Sequence, residues 1–205
     1  MSDLNFIHQY SPSAARSSRV LLLLHGTGGD ENDLLPIGRE LDPGAALLSP
    51  RGQVSENGAP RFFRRFAEGV FDQADVVQRA HELADFIAAA AAHYGFEPSH
   101  LTAVGYSNGA NIAAVAMLLR PEVFPAAILF RAMVVLSNPP AADLHDHRVL
   151  ISAGRHDPII PLENAQRLSA QFQKAGALLT FEIQEAAHGL TSADLQVARR
   201  WLAEQ

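Results

Sequence analysis

The stretch Leu101-Thr102-Ala103-Val104-Gly105-Tyr106-Ser107-Asn108-Gly109 decides how the chain is read. A short apolar run enters the pattern G-x-S-x-G, and an Ala-rich segment with helical character follows to about Leu119. A strand that turns into a helix at such a serine is a nucleophile elbow. The serine sits on a strained turn that lifts its Oγ clear of the sheet. Small residues two before and two after it let strand and helix close around that turn. The helix N-terminus behind Ser107 aims backbone N–H groups at any oxyanion formed there. Alone, the pentapeptide is a weak pattern. An idle serine at a Gly-flanked turn has the same sequence, so the partners decide.

Upstream, Val20-Leu21-Leu22-Leu23-Leu24 is a continuous apolar run followed at once by His25-Gly26-Thr27-Gly28-Gly29-Asp30. A strand with no polar alternation suits a parallel sheet covered on both faces. The remaining pattern predicts a short first strand over Phe6–Tyr10 and a turn-rich loop over Ser11–Ser18. A helix is expected over Asp30–Leu41, capped by Asp30 and stopped by Asp42-Pro43-Gly44, then a strand over Ala45–Ser49. Arg51–Asp72 shows little periodicity and reads as a long connection, of the kind that is usually functional or mobile. Helices follow over Asp72–Tyr94, Pro161–Ala175 and Thr191–Leu202. Strands follow over Ala126–Phe130, Arg148–Ser152 and Leu178–Ile183, and Met133–Asp146 reads as loop. Alternating strands and helices predict a doubly wound α/β sheet forming a single domain over residues 1–205, mostly parallel, with helices on both faces. No insertion is long enough for a lid domain, so the site should be open.

Composition bounds the function. The 205 residues are 48% hydrophobic and 19% charged, an ordinary globular balance. A net charge of −6 argues against a general nucleic-acid binder or an anionic-membrane protein. The absence of cysteine removes thiolate catalysis and Cys-based zinc sites and fits a reducing compartment. The N-terminal residues lack a basic region followed by an apolar one, and Val20–Leu24 is far too short to span a bilayer. A cytoplasmic protein is the expectation.

A serine hydroxyl needs a base, and the base needs an orienting acid. In strand–elbow–helix folds the order along the chain is Ser, then Asp or Glu, then His, with acid and base just past strand ends. Asp157 lies in Ala153-Gly154-Arg155-His156-Asp157-Pro158, after the Arg148–Ser152 strand. His188 lies in Ala187-His188-Gly189-Leu190, after the Leu178–Ile183 strand. Ser107 is thus assigned as nucleophile, His188 as general base and acid, and Asp157 as the residue that orients the imidazole. The oxyanion hole requires two N–H donors, assigned to Asn108 and to Thr27 in the early loop. His25 is a rival base, but its place beside Gly26 suits a ring that holds the loop by hydrogen bonds.

These pieces resemble the phospholipase/carboxylesterase family of α/β hydrolases, relatives of the acyl-protein thioesterases, and within it a bacterial subgroup of small hydrolases. The resemblance runs from about Leu21 to Leu202. Its specific motifs are Leu24-His25-Gly26-Thr27-Gly28-Gly29-Asp30-Glu31, Pro50-Arg51-Gly52, Glu56-Asn57-Gly58, Arg61-Phe62-Phe63-Arg64-Arg65 and Gly105-Tyr106-Ser107-Asn108-Gly109-Ala110-Asn111. It implies the α/β-hydrolase fold, esterase or thioesterase activity on small acyl substrates, no cofactor, and often a homodimer. It carries Ser107, Asp157 and His188 over as triad, with Thr27 and Asn108 as oxyanion donors. This chain has Ala132 where the family more commonly has proline.

Other signals are weaker. The Arg61–Phe66 cluster offers guanidinium groups for a substrate carboxylate or phosphate and rings for an apolar part. Arg64 and Phe63, with Met133 from a later loop, are therefore assigned to substrate binding. The competing reading is a loop tied by ion pairs to Glu56, Glu68 or Asp72. Asp143-Leu144-His145-Asp146-His147 has metal-ligand residue types but no second half, and reads as a polar surface loop. Gly26-Thr27-Gly28-Gly29 is no phosphate loop, since no Gly-Lys-Ser/Thr follows. The expectation is a cofactor-free serine carboxylesterase acting on a small ester, with no metal, nucleic-acid or membrane partner. The alternatives are a thioesterase or lysophospholipase for longer acyl chains, and a non-catalytic binding module on the same fold.

Overall fold

The computed structural model describes residues 4–13 and 17–204. Its centre is a seven-stranded sheet. In chain order the strands are β1 (His8–Ser11), β2 (Val20–Leu24), β3 (Ala46–Pro50), β8 (Leu101–Tyr106), β9 (Ala126–Phe130), β10 (Arg148–Gly154) and β11 (Leu178–Gln184). Their spatial order is β1-β3-β2-β8-β9-β10-β11, with β1 antiparallel to β3 and the rest parallel. This is the mostly parallel α/β sheet expected from the alternating pattern, in the α/β-hydrolase architecture that the resemblance implies. Strands β2, β3 and β9 are buried at every position, because helices cover both faces.

Helices α2 (Gln73–Tyr94), α3 (Asn108–Leu119) and α4 (Leu162–Lys174) pack on one face, where Leu83, Ile112, Leu129 and Phe172 share one core cluster. Helices α1 (Leu35–Leu41) and α5 (Ser192–Ala203) pack on the other, where Leu41, Leu47, Ile128 and Trp201 form a second. The caps follow the sequence. The Asp72 side chain accepts from the Asp75 N–H at the start of α2, and Gly95 ends that helix in the left-handed region at φ 73. Thr191 and Asp194 form a reciprocal capping box on α5.

Three expectations change. The first strand starts two residues later than read, at His8. The first helix starts at Leu35 rather than Asp30. Pro36 has no N–H to give, so it must sit in a helix's first turn, and a helix from Asp30 would have placed it in the interior. Asp30 instead accepts the Asn32 N–H at 2.8 Å in a local turn. The 51–72 connection is structured, as two antiparallel hairpins. The first pairs β4 (Val54–Glu56) with β5 (Ala59–Arg61), and the second pairs β6 (Arg65–Ala67) with β7 (Val70–Phe71). Asn57 and Gly58, at φ 52 and φ 85, make the first turn, the Asn-Gly preference of a tight hairpin. The loop read over Ser11–Ser18 includes 14–16, which lie outside the described residues.

Candidate active site

Ser107 stands between β8 and α3 at φ 52, one of three non-glycine residues with positive φ among the described residues. Its N–H is held by the Phe130 carbonyl at 2.9 Å. The flanking glycines make this turn possible. A Cβ on Gly105 would come within 2.5 Å of the Ala110 Cα, and one on Gly109 would collide with the Leu24 carbonyl. The elbow is therefore packed backbone against backbone, and the strained serine is held by its surroundings.

Asp157 and His188 extend from the C-terminal ends of β10 and β11 and meet Ser107 there. His188 Nε2 lies 3.0 Å from Ser107 Oγ, and His188 Nδ1 lies 2.8 Å from Asp157 Oδ2. The Asp157 side chain is 1% exposed and that of His188 17%. The other carboxylate oxygen, Asp157 Oδ1, accepts the N–H groups of Ile159 and Ile160 at 2.8 and 3.0 Å. One carboxylate thus faces the imidazole with one oxygen and is locked by backbone with the other. That geometry fixes a tautomer in which Nδ1 carries the proton and Nε2 can accept one from the serine.

The loop after β2 wraps the other side of Ser107. His25 is buried, its Nε2 accepting the Gly52 N–H at 2.9 Å while Nδ1–H donates to the Gly26 carbonyl at 2.6 Å. Both ring nitrogens are occupied, and burial pushes the imidazole below the usual histidine value, outweighing that carbonyl and nearby carboxylates. His25 thus holds the loop. Thr27 follows, with its Oγ1 accepting from Arg61 Nη1 at 2.8 Å. No backbone hydrogen bond among the described residues engages the N–H of Thr27 or of Asn108. Asn108 is buried and its Oδ1 accepts the Phe62 N–H at 2.7 Å.

The substrate-binding assignments need correction in two places. The Phe63 ring is fully buried, edge-on to Phe71, and forms part of the core rather than a pocket wall. The Arg64 side chain is 62% exposed, but its guanidinium faces Asp72 and Asp75 at 3.3 Å each. Its neighbours are paired too: Arg61 and Arg65 share Glu56 at 3.2 and 2.9 Å. The cluster carries its own counter-charges and is no free anion site. Met133 is 9% exposed, and its N–H donates to Asn111 Oδ1, one helical turn beyond the serine, at 2.8 Å.

A second serine–carboxylate pair, Ser152 Oγ to Asp194 Oδ1 at 2.6 Å, is fully buried. Arg131 saturates it with an ion pair at 2.8 Å, and the ring nitrogens of His188 are turned to Asp157 and Ser107, so this pair cannot reach a substrate. Arg131 and Asp194 were not singled out in the sequence. Their signals were an arginine closing an otherwise apolar strand and the Thr191-Ser192-Ala193-Asp194 capping box. Burial alone raises the Asp194 carboxyl, but the hydrogen bonds from Arg131, Ser152 and Thr191 outweigh it and hold the carboxyl below its usual range.

A mostly parallel sheet, an elbow serine and this set of strand-end residues define the α/β-hydrolase class. The chain belongs to the dienelactone hydrolase family, whose family model matches residues 52–200. Its relatives are of the phospholipase/carboxylesterase type that the loop and elbow motifs resemble. Bacillus subtilis MhqD, provisionally named as a hydrolase, is 46% identical over 188 residues, 92% of this chain and 94% of that protein. A carboxylesterase from Bacillus cereus superposes with a TM-score of 0.96 at 40% identity, covering 99% of this chain and 96% of its own. A carboxylesterase from Mesorhizobium loti gives 0.94 at 34% identity, covering 100% and 98%. Among the described residues no helix is long and apolar enough to cross a membrane, and no three His, Asp or Glu side chains are grouped to hold a metal ion.

Proposed function

We propose that the chain is a serine carboxylesterase that cleaves small carboxylic esters through an acyl-enzyme. The observation that carries this is the unbroken relay Ser107 Oγ–His188 Nε2–Asp157, at 3.0 and 2.8 Å. Ser107 Oγ attacks the ester carbonyl carbon as its proton passes to His188 Nε2. The oxyanion that forms is received by the N–H groups of Thr27 and Asn108. The carbon–oxygen bond to the leaving group then breaks, and the alcohol departs with the proton from His188. Water repeats the sequence, giving up a proton to His188 and releasing the acid and free Ser107. The Asp157 carboxylate faces the imidazolium and stabilises it.

Short acyl groups are the substrates this reading expects. No helix is inserted between β3 and α2 or between β9 and β10, where a cover for a long chain would stand. The relatives named as carboxylesterases support the ester assignment. The test is hydrolysis of p-nitrophenyl esters from acetate to dodecanoate by the native protein and by Ser107→Ala. Native activity should peak at short chains, and the variant should lose ~10³-fold or more in turnover while staying folded. A long-chain peak would make the substrate a lipid or acylated protein. No activity and no labelling of Ser107 by a fluorophosphonate would leave a binding module.

A further inference from the structure

We infer that Arg131, together with Tyr106, is the positioning residue for His188; this rests on reading Ser107, His188 and Asp157 as a working triad. Arg131 follows the last residue of β9 at φ 53, in the left-handed region, and its N–H donates to the Ser152 carbonyl at 2.9 Å. The guanidinium is fully buried and all five of its N–H groups are used. Nη1 donates to Asp194 Oδ1 at 2.8 Å and to the Ser152 carbonyl at 3.1 Å. Nη2 donates to Asp194 Oδ2 at 2.9 Å and to the Gly189 carbonyl at 3.0 Å. Nε donates to the Ala187 carbonyl at 3.0 Å.

Two of those bonds therefore grip the carbonyls on either side of His188. The His188 carbonyl itself accepts from Tyr106 Oη at 3.2 Å, and the Tyr106 ring centre lies 5.5 Å from that of the imidazole. Three successive carbonyls of a loop with no regular structure are thus clamped from β8 and β9. The same two strands hold Ser107, which follows Tyr106 and is bonded through its N–H to Phe130. The base and the nucleophile consequently share one frame. What a buried arginine adds there is orientation, and proton transfer depends steeply on it. Lysine cannot reproduce the arrangement, since an ammonium lacks the planar fork that reaches Asp194 and the loop together.

The rival role for Arg131 is to anchor α5 through Asp194. Three variants separate the two: Arg131→Lys keeps the charge pair but not the fork, Arg131→Met/Asp194→Leu removes both charges at once, and Tyr106→Phe touches only the His188 carbonyl. Each is measured for ellipticity, for kcat and KM on p-nitrophenyl acetate, and for the rate of fluorophosphonate labelling at Ser107. With positioning, the folded Arg131 variants lose about 10- to 100-fold in kcat and in labelling rate with KM within about twofold, and Tyr106→Phe loses less in the same direction. Folded Arg131 variants with native kcat and labelling rate would overturn the inference and leave Arg131 as an anchor of α5. If the Arg131 variants do not fold, an unchanged Tyr106→Phe would overturn the clamp. A native protein that neither hydrolyses esters nor labels at Ser107 fails the underlying reading separately, and the inference with it.

Discussion

The Phe62 N–H donates to the side-chain oxygen of Asn108 at 2.7 Å, joining the hairpin region to the residue next to the nucleophile. In the proposed mechanism Asn108 has two tasks: its backbone N–H is offered to the oxyanion, and its side chain accepts from Phe62. Asn108→Ala leaves a buried N–H without an acceptor, so stability should fall by about 1–3 kcal/mol in urea denaturation. Asn108→Asp keeps the acceptor for Phe62 but puts a negative charge on the residue whose N–H is proposed to receive the oxyanion. Its kcat should fall at least as far as that of Asn108→Ala, with KM little changed. An Asp variant as active as native protein would remove Asn108 from the oxyanion hole.

Arg64 is turned to Asp72 and Asp75 and does not wait for a substrate anion. Replacing it with Ala should change KM for anionic and neutral esters by the same factor. A selective rise for anionic esters would restore an anion-binding role.

Gly109 touches the end of β2 through backbone alone. Gly109→Ala forces its Cβ into the Leu24 carbonyl, and overpacking of this kind costs about 1–3 kcal/mol or more. Gly189 has no neighbour within 4 Å of the place a Cβ would take, so Gly189→Ala should leave the melting temperature almost unchanged. Equal shifts for the two would contradict the packing described for the elbow.

His25 gives stability a pH dependence of known sign. Burial lowers its folded value, so below about pH 6.5 the unfolded chain takes up a proton that the folded chain refuses. Stability is therefore full above that pH and declines as pH falls toward the folded value, by at most about 1.4 kcal/mol per pH unit from this residue. Chemical denaturation between pH 7.5 and 5.5 should show a shallower slope for His25→Gln than for native protein. Equal slopes would mean that the ring titrates alike in both states.

Legibility from sequence followed the range of the interactions. The elbow is local: its glycines, its strand and its helix lie within twenty residues, so spacing revealed them. Asp157 and His188 are distant from Ser107 in sequence, but each closes a strand of a parallel sheet, and chain order was enough to pair them. The Arg131–Asp194 pair has no motif, and bonds made across 63 residues leave no periodic trace. The helix start misjudged at Asp30 shows competition between signals: a good cap was outranked by the missing donor of Pro36. The Asn57-Gly58 turn was legible in principle, since that dipeptide marks hairpins, but the short strands beside it carry too little alternation to stand out.

The 51–72 segment meets the loop after β2 and the start of α3 through a handful of bonds: Arg51 to Glu31, Gly52 to His25, Pro60 to Gly28, Arg61 to Thr27 and Phe62 to Asn108. None of them touches His188 or Asp157. The relay and the hairpin segment are accordingly joined only indirectly, through the loop after β2 and through Asn108. The hairpins can therefore be recut in turn and side chain while the relay stays as it is. For the engineer, the 51–72 segment is thus the part of the chain to exchange on an unaltered sheet, provided those junctions are kept.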